Sequence, residues 1–402
     1  MKTKYVALGA VAAAAATLAG GAHAQSSITA FGLLDLGLAR VSSSRAHSTQ
    51  LAPDGNQTSR LGFRGREDLG GGLYAGFWLE AQVGPDTGAG TATSTNNQST
   101  TASCAVATTT TTTTGATPPL AGSALASTST STSSCSFAAN GSQGLTFNRR
   151  STVSLGGRWG EVRAGRDYTP TFRSLVAFSP FGTNGVGSSL TLFTAKTPTG
   201  GATQRTSTRA SNSVGYVLPP GLGGVYGEVM YALGENASSA GANRDDGTYR
   251  GLRLGWKGAG FNVAAATGRT DYAAGDYTQS NVGVSWDWNA WTFSYLWGEN
   301  KIGRTKTTSQ LLGVQWQVGP GEARFAYARV RPQGFTGGQA NTIRDASHYA
   351  VGYVYDLSKR TALYASYAVV SNKGAGTAFD VGIGATPGGT TRGLELGVRH
   401  SF

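Results

Sequence analysis

The sequence predicts an all-β protein, a 16-stranded antiparallel β-barrel that spans a membrane. Apolar residues alternate with polar ones at a period of two, turn residues separate these segments, and the connections are alternately short and long. Glycine is abundant, with 60 residues, while only 13% of the residues are charged. No segment approaches 18 uninterrupted apolar residues, so the sequence does not predict membrane-spanning helices.

The first element is an apolar, alanine-rich stretch behind two lysines, and it ends in the small-residue site AHA before Gln25. This is the pattern of a secretory signal peptide. We therefore expect residues 1–24 to be removed and residues 25–402 to form the barrel. A membrane anchor is the alternative, but the apolar stretch is short for one. Loss of Lys2 and Lys4 lowers the formal net charge from +12 to +10.

Sixteen alternating segments follow. They cover residues 27–41, 58–69, 72–84, 145–157, 159–168, 209–219, 223–234, 248–258, 260–269, 278–289, 290–300, 308–319, 321–331, 346–357, 360–371 and 392–402. Short turns between long loops are typical of bacterial outer-membrane barrels, whose two ends face different environments. Tilted strands of about ten residues cross the hydrocarbon layer. Backbone groups in lipid need partners, so the first and last segments should pair.

The last segment, GLELGVRHSF, separates the two faces of a strand. One face carries Leu394, Leu396, Val398, His400 and Phe402, and the other carries Gly393, Glu395, Gly397, Arg399 and Ser401. A soluble β-sandwich would bury one face in an apolar core. Here that second face repeatedly carries Arg, Glu, Asp and Gln along the chain. We therefore expect lipid outside and water inside, with aromatic girdles at the two interfaces.

The charge pattern and the cysteines narrow the partners. The arginines are spread singly along the strands, which suits small anions better than nucleic acid. Cys104 and Cys135 lie in a Ser/Thr-rich insertion, and an exported protein is expected to pair them in a disulfide. Zinc would need two more ligands, and no histidine lies nearby in sequence. The histidines after the leader are too scattered to predict a metal centre or a catalytic cluster.

Four stretches, taken in order, resemble the trimeric general porins of β-proteobacterial outer membranes. They are SRLGFRGREDLGGGLYAGFWLE (59–80), FNRRSTVSLGGRWGEVRAGRDYTP (147–170), HYAVGYVYDLSKRTALYASYA (348–368) and GVRHSF (397–402). The resemblance implies a homotrimer in outer-membrane lipid and lipopolysaccharide. It also implies passive diffusion of small hydrophilic solutes and a third long loop that folds inward and narrows the pore. We expect no cofactor, and Phe402 to act as the C-terminal assembly signal.

The resemblance further implies a basic wall at the narrowest part of the pore. Arg60 and Arg149 match lumenal arginines of the family, and Arg166 matches a basic position before the third loop. Arg64 shares a strand face with Arg60, so it should be lumenal too. Strand parity leaves open whether Arg149 or Arg150 faces the pore. Each arginine taken alone could equally be a solvated or interfacial charge.

The constriction loop is expected over residues 168–208. Asp167 precedes it and Arg173 lies in it, as do the residues Pro180, Phe181 and Gly182. Exposing its apolar side chains to water would be costly, so it should lean on the barrel wall rather than stand free outside. In enteric general porins the loop carries acidic residues at its tip, but this chain has no Asp or Glu between Tyr168 and Gly227.

An arginine ring without balancing carboxylates creates a positive potential, which predicts a preference for anions. Four strand acids could offset this field: Asp35, Glu67, Asp68 and Glu80. A channel specific for phosphate or organic acids is the alternative within the same fold. An outer-membrane enzyme would need a Ser/His or Asp/His arrangement that this sequence does not suggest. The Ser/Thr-rich loop 85–144 should be an external decoration rather than a plug, and an adhesin role for it would be compatible with either channel.

Overall fold

The computed structural model describes residues 27–90, 97, 144–193, 205–336 and 342–402. The expected signal peptide, both cysteines and most of the 85–144 insertion lie outside these residues. Removal of residues 1–24 and the disulfide between Cys104 and Cys135 therefore remain predictions.

Eighteen β-strands make up most of the described chain. They are β1 (Ser27–Ser42), β2 (His47–Pro53), β3 (Arg60–Gly70), β4 (Leu73–Gly84), β5 (Ala89–Gly90), β6 (Arg150–Gly157), β7 (Gly160–Tyr168), β8 (Arg209–Val217), β9 (Val225–Ala232), β10 (Tyr249–Gly258), β11 (Phe261–Thr270), β12 (Tyr277–Trp288), β13 (Trp291–Ile302), β14 (Thr305–Val318), β15 (Gly321–Gln333), β16 (Ala346–Asp356), β17 (Thr361–Asn372) and β18 (Thr390–Ser401). The predicted segments correspond to all of them except β2 and β5. The predicted ends agree closely except at β6, which begins later than expected.

The strands form one closed antiparallel barrel. β1 pairs with β18 from Leu33–Ser401 to Ser42–Arg392, and β4 pairs directly with β6, so the two-residue β5 lies outside the ring. Phe402 completes the closure, because it exchanges two backbone hydrogen bonds of 3.0 Å with Gly32. Each of the sixteen positions in the ring thereby has a neighbour on both sides, as the lipid environment requires. The predicted 16-stranded barrel is confirmed.

One position in the ring is shared by two strands. β1 pairs with β3 over residues 27–33 and with β2 over residues 36–42. Between β2 and β3, residues 54–59 (DGNQTS) leave the wall and enter the lumen; we call them the inward segment. The sequence predicted only a long connection over residues 41–57. The inward segment is polar, so its sequence does not show that it separates two strands, β2 and β3, that pair with the same strand, β1.

The outer face of the barrel is apolar. On β18, Leu394 and Leu396 are 42% and 52% exposed, whereas Glu395 between them is 3% exposed. Similar rows of exposed apolar side chains occur on the other strands, and so large an apolar surface indicates lipid rather than water. At the β12–β13 turn, Trp291 stacks on Trp316 with ring centroids 4.8 Å apart. This stack fits an interfacial aromatic girdle.

Short turns gather at one end of the barrel and longer connections at the other. The turn between β13 and β14 is the exception at the long-loop end, where the sequence predicted a connection over residues 301–307. The two strands extend instead to a two-residue turn, Gly303–Arg304. Gly303 has φ +56°, a conformation that such tight hairpin turns need.

We call the connection over residues 169–208 the third loop, and its described parts, residues 169–193 and 205–208, fold into the barrel. It contains helix α1 (Pro170–Ala177) and a short 3-10 helix at Ser189–Leu192. The sequence predicted that this loop leans on the wall but did not predict the helix. Pro170 suits the first turn of α1, where its missing N–H costs no hydrogen bond. No helix among the described residues has the length and apolarity needed to cross a membrane.

The hydrophobic core lies between the third loop and the barrel wall. Leu175, Phe178, Leu192 and Phe193 of the loop are buried in one cluster with residues of the wall. The wall contributes Ala264, Leu296, Leu311, Ala328, Val330, Ala346 and Val370. The lumen is therefore divided: the loop covers one side, and the other side stays open. We call the lumenal face of β11–β18 the loop-bearing wall and that of β3–β10 the basic wall.

Candidate pore and its basic wall

The arginines of the basic wall come from strands in matching register. Arg60 and Arg64 alternate on the same face of β3, opposite Gln82 and Trp78 of β4. Arg150 lies opposite Glu80 on the next strand pair. Because the side chains of directly paired residues lie on the same face, all of these groups point into the lumen.

Arg149 precedes β6 and also faces the lumen, so both arginines of the FNRR motif are lumenal. Its Nε donates to Oε1 of Glu80 at 2.5 Å, and both side chains are buried. Trp78 Nε1 donates to the other carboxylate oxygen at 3.1 Å. Arg149 is thus held by a carboxylate of the wall itself, the kind of offset that the sequence left open for Glu80.

Tyr168, the last residue of β7, collects three arginines around its ring. Its hydroxyl accepts hydrogen bonds from Arg149 at 2.6 Å and from Arg209 at 2.9 Å. The Arg209 guanidinium lies 4.4 Å from the ring centroid, and that of Arg173 lies 5.6 Å from it. Stacking on an aromatic face orients a guanidinium without neutralising its charge.

Asp167 is the main carboxylate of this region. It is 3% exposed and forms ion pairs with Arg173 at 2.6 Å, Arg150 at 3.5 Å and Arg163 at 3.7 Å. Glu228 of β9 forms a further ion pair with Arg173 at 3.3 Å. One buried acid thus serves three arginines, and Arg163 has a second carboxylate partner in Glu161 at 2.9 Å.

The tip of the third loop meets the inward segment across the lumen. Thr58 and Asn184 are joined by side-chain hydrogen bonds of 3.0 to 3.1 Å. Gly185 has φ +67°, and any β-carbon there would clash with the Gly55 carbonyl oxygen. The inward segment is fixed in turn by Asp35, which accepts the Gln57 N–H at 2.6 Å. These contacts bring Pro180, Phe181 and Gly182 to the rim of a cavity.

This cavity, the upper cavity, has a volume of about 1060 Å³ and lies between the third loop, the inward segment and the basic wall. Among the described residues that line it are six arginines and one acid: Arg60, Arg149, Arg173, Arg209, Arg253, Arg324 and Asp54. Arg149, Arg173 and Arg324 form ion pairs with carboxylates just behind them. Within the described chain, Arg60, Arg209 and Arg253 form no ion pair.

The third loop is fastened to the loop-bearing wall by polar side chains that reach its backbone. Asn300 donates to the Phe193 carbonyl at 2.7 Å, and Ser309 to the Leu192 carbonyl at 2.5 Å. His348 is fully buried, with Nδ1 3.0 Å from Ser189 Oγ and Nε2 3.2 Å from the Val186 carbonyl. These bonds satisfy backbone groups that no strand partner reaches.

Glycines on the loop-bearing wall make room for apolar side chains of the loop. A β-carbon at Gly283 would clash with Phe178, and one at Gly313 would clash with Pro180. Gly352 similarly faces Phe181. Packing therefore explains part of the glycine content of the chain, because each of these three glycines leaves the space that one loop side chain occupies.

Arg166 is placed apart from the other predicted arginines. It pairs with Ser151, and the next residue of β6 on that face, Val153, is 61% exposed on the outer surface. Its guanidinium donates to the Asn148 carbonyl at 2.6 Å and to Ser211 at 2.8 Å. The sequence motif suggested a lumenal position, but the register turns this residue toward the outer face near the top of the wall.

The sequence reasoning missed Tyr168, Arg209 and Arg253 as lining residues. Alternation along β7 does not find Tyr168, because it puts this residue on the face opposite to that of Arg163 and Asp167, and the register shift between Gly165 and Asp167 has no signal in the sequence. Arg209 begins β8 after a long loop, so its direction depends on where the loop ends. No local signal in the sequence fixes that point.

Comparisons with known proteins agree with this architecture. Residues 10–375 match the family model described as Gram-negative porin. The chain is 31% identical to outer membrane porin protein 32 of Delftia acidovorans over 419 aligned positions, which cover the whole of both chains. It also resembles the solved anion-selective porin from Comamonas acidovorans, with 29% identity, a TM-score of 0.70, and 94% of this chain and 100% of that chain covered.

A more distant solved structure, Salmonella typhi OmpF in complex with daunomycin, has 13% identity and a TM-score of 0.57 over 93% of this chain and 97% of that one. At this identity the likeness concerns the fold alone. The family match spans most of the sequence, the curated relative spans all of it, and the barrel is closed with an apolar outer face. This chain belongs to the Gram-negative porin family and is a β-barrel protein of the outer membrane.

Proposed function

We propose that this porin is a water-filled diffusion channel for small hydrophilic solutes that prefers anions, and that the upper cavity is its constriction. One observation carries the proposal: Arg60, Arg209 and Arg253 line the cavity and, within the described chain, form no ion pair. The described part of the third loop adds Arg173 and no acid on the opposite side.

The electrostatics favour anions even though several arginines are paired. A unit charge at 4 Å interacts with another by roughly 1 kcal/mol in bulk water and by more near a protein surface. Three guanidiniums without an ion pair around one narrow passage therefore attract chloride and repel potassium. Rings of arginine or lysine select anions in other pores by the same physics.

The relatives support the same proposal. One solved relative, 29% identical over nearly the whole chain, is described as an anion-selective porin. Two of the carboxylates that could oppose the preference for anions already have partners in the protein. Glu80 pairs with Arg149, and Asp35 holds the inward segment through its backbone amides.

The test is the zero-current potential of the purified protein in a planar bilayer under a KCl gradient. We expect the sign that chloride flux produces. The double substitution Arg60→Gln with Arg209→Gln should reduce this potential strongly, because it removes two of the three lining arginines that form no ion pair. Arg250→Gln removes an arginine on the lipid-facing side of β10 and serves as the matched control. A potential of zero or of the cation sign in the wild type contradicts the proposal.

The same bilayer recording separates general diffusion from specific transport. Conductance that rises in proportion to KCl concentration is expected for a diffusion channel. Saturation at low concentration would instead indicate a channel specific for phosphate or organic acids, the alternative that shares this fold.

We also propose that the protein assembles as a homotrimer in outer-membrane lipid. The apolar outer face supplies surface both for lipid and for neighbouring subunits, and a trimer is what the family resemblance implies. Light scattering in detergent, corrected for bound detergent, should give three times the mass of one chain. A monomeric mass would contradict this part of the proposal and leave the channel itself unaffected.

A further inference from the structure

A second cavity, which we call the lower cavity, lies in the basic wall nearer the short turns. It has a volume of about 480 Å³ and shares no lining residue with the upper cavity. Arg64 lines the lower cavity and Arg60 the upper one, and the four-residue separation along β3 corresponds to about 13 Å at roughly 3.3 Å per residue. A solute that leaves the upper cavity toward the short turns passes this place.

Two arginines of the lower cavity are held by aromatic rings instead of carboxylates. The Arg64 guanidinium lies 5.2 Å from the ring centroid of Trp78 and 5.5 Å from that of Phe31. The Arg66 guanidinium lies 3.7 Å from the centroid of Tyr74. In the part of the chain that the structure describes, neither guanidinium forms a hydrogen bond or an ion pair. Their planes are therefore oriented while their N–H edges remain available.

The other two arginines of the lower cavity differ in this respect. Arg163 forms an ion pair with Glu161 at 2.9 Å, and Arg150 forms one with Asp167 at 3.5 Å. Arg150 also lies 4.7 Å from the ring centroid of Trp78, so this indole contacts two guanidiniums. Pairing neutralises Arg150 and Arg163 and leaves the charge of Arg64 and Arg66 uncompensated.

We propose that the lower cavity is a second anion-binding site that takes small oxyanions, carboxylates or phosphates, on the short-turn side of the constriction. The inference rests on the proposed anion channel, since it concerns the same permeating ions. A planar guanidinium matches two oxygens of a carboxylate or phosphate with two parallel hydrogen bonds, which chloride cannot reproduce. The hydroxyl groups of Ser27, Thr29 and Thr152 line the same cavity and supply further donors.

Such a site has a measurable consequence. An oxyanion that stays in the lower cavity slows the chloride ions behind it, so phosphate should reduce the chloride conductance in a saturating manner. The recording is made in about 0.1 M KCl, because screening shortens to about 3 Å at 1 M salt and would hide a site exposed to water. Inorganic phosphate at neutral pH is the probe.

The decisive variant is the double substitution Arg64→Gln with Arg66→Gln. We expect the phosphate concentration for half-maximal reduction to rise by about tenfold or more, as for the loss of one charge-assisted hydrogen bond. The zero-current potential under a KCl gradient should keep its anion sign, because the upper cavity is unchanged. Arg399→Gln removes one lumenal charge from β18, which contributes no lining residue to the lower cavity, and is the matched control, with an unchanged phosphate response expected.

The outcomes distinguish this inference from the proposed function. A wild-type channel that is anion-selective but insensitive to phosphate overturns the lower site alone. So does an unchanged response in the Arg64 and Arg66 variant, or a response lost only when Arg60 and Arg209 are replaced, since phosphate would then bind in the upper cavity. A wild-type potential of the cation sign overturns the anion channel itself. All variants are compared after they show a heat-modifiable folded band and single channels.

Discussion

The two sides of the lumen differ in the size and charge of the side chains that face inward. On the basic wall, long charged side chains such as Arg60 and Arg209 project into the open cavity. On the loop-bearing wall, small residues such as Ala264 and Gly352 lie under the third loop, and Gly283 and Gly313 receive side chains of the loop. Both walls have the same strand geometry and the same alternation, so the size of the inward residues decides what fills the lumen.

This difference shows what period-two alternation leaves undetermined. Alternation fixes which residues face inward, but a 16-stranded barrel is too wide for its side chains alone to fill. Small residues on one side allow a loop to pack there and form a hydrophobic core with it. Large basic residues on the other side keep the passage hydrated. The channel is the space that remains between the packed third loop and the basic side chains.

The largest effect is expected where packing is densest. Gly283→Val places methyl groups where Phe178 lies, so the third loop has to move off the wall. Overpacking of this kind costs about 1–3 kcal/mol. We expect trypsin to cleave the folded protein after Arg173 in the loop and the single-channel conductance to become larger or unstable. Gly215→Val on β8 of the basic wall is the matched control. Equal cleavage in both variants would contradict the conclusion that Gly283 makes room for Phe178.

A comparable substitution on the basic wall should change selectivity instead of loop position. Glu80→Gln removes the carboxylate that pairs with Arg149 while keeping its size and a hydrogen-bonding oxygen. One more positive charge then acts on the passage, and we expect the ratio of chloride to potassium permeability to rise roughly threefold. Zero-current potentials measure this ratio. Glu395→Gln is the comparison on the other wall, where the carboxylate accepts the Val186 N–H at 2.9 Å. A larger change in selectivity for Glu395→Gln than for Glu80→Gln would contradict the proposed difference between the two walls.

How much the sequence predicts differs between these two walls. The strand order, the outward faces and the closure by Phe402 follow from alternation and from the need to pair every backbone group in lipid. The inward segment does not, because DGNQTS is an ordinary polar loop in sequence and only its pairing reveals an interrupted strand. The cluster around Tyr168 depends on where the third loop returns to the wall. That point is set by long-range contacts such as Asn300 with Phe193.

A moderate effect is expected at the buried histidine of the loop-bearing wall. His348→Leu keeps most of the volume but leaves Ser189 Oγ and the Val186 carbonyl without their imidazole partner. Buried polar groups left unsatisfied cost about 1–3 kcal/mol. We expect the folded band to unfold at a lower temperature on semi-native gels, with the zero-current potential unchanged. A shift in selectivity without a loss of stability would mean that His348 acts on the ions and not on the loop.

The smallest effect is expected from a change in salt concentration, which distinguishes the two walls without any mutation. Raising the salt from about 0.1 M to 1 M shortens the Debye length from about 10 Å to 3 Å. The field of the arginines is screened over this range, so the permeability ratio should fall toward one as the salt concentration rises. The third loop is held by packing and short buried hydrogen bonds, which salt hardly weakens, so its resistance to trypsin should stay constant. If loop protection fell together with selectivity, the loop would depend on the same charges as the ions, and the contrast between the two walls would not hold.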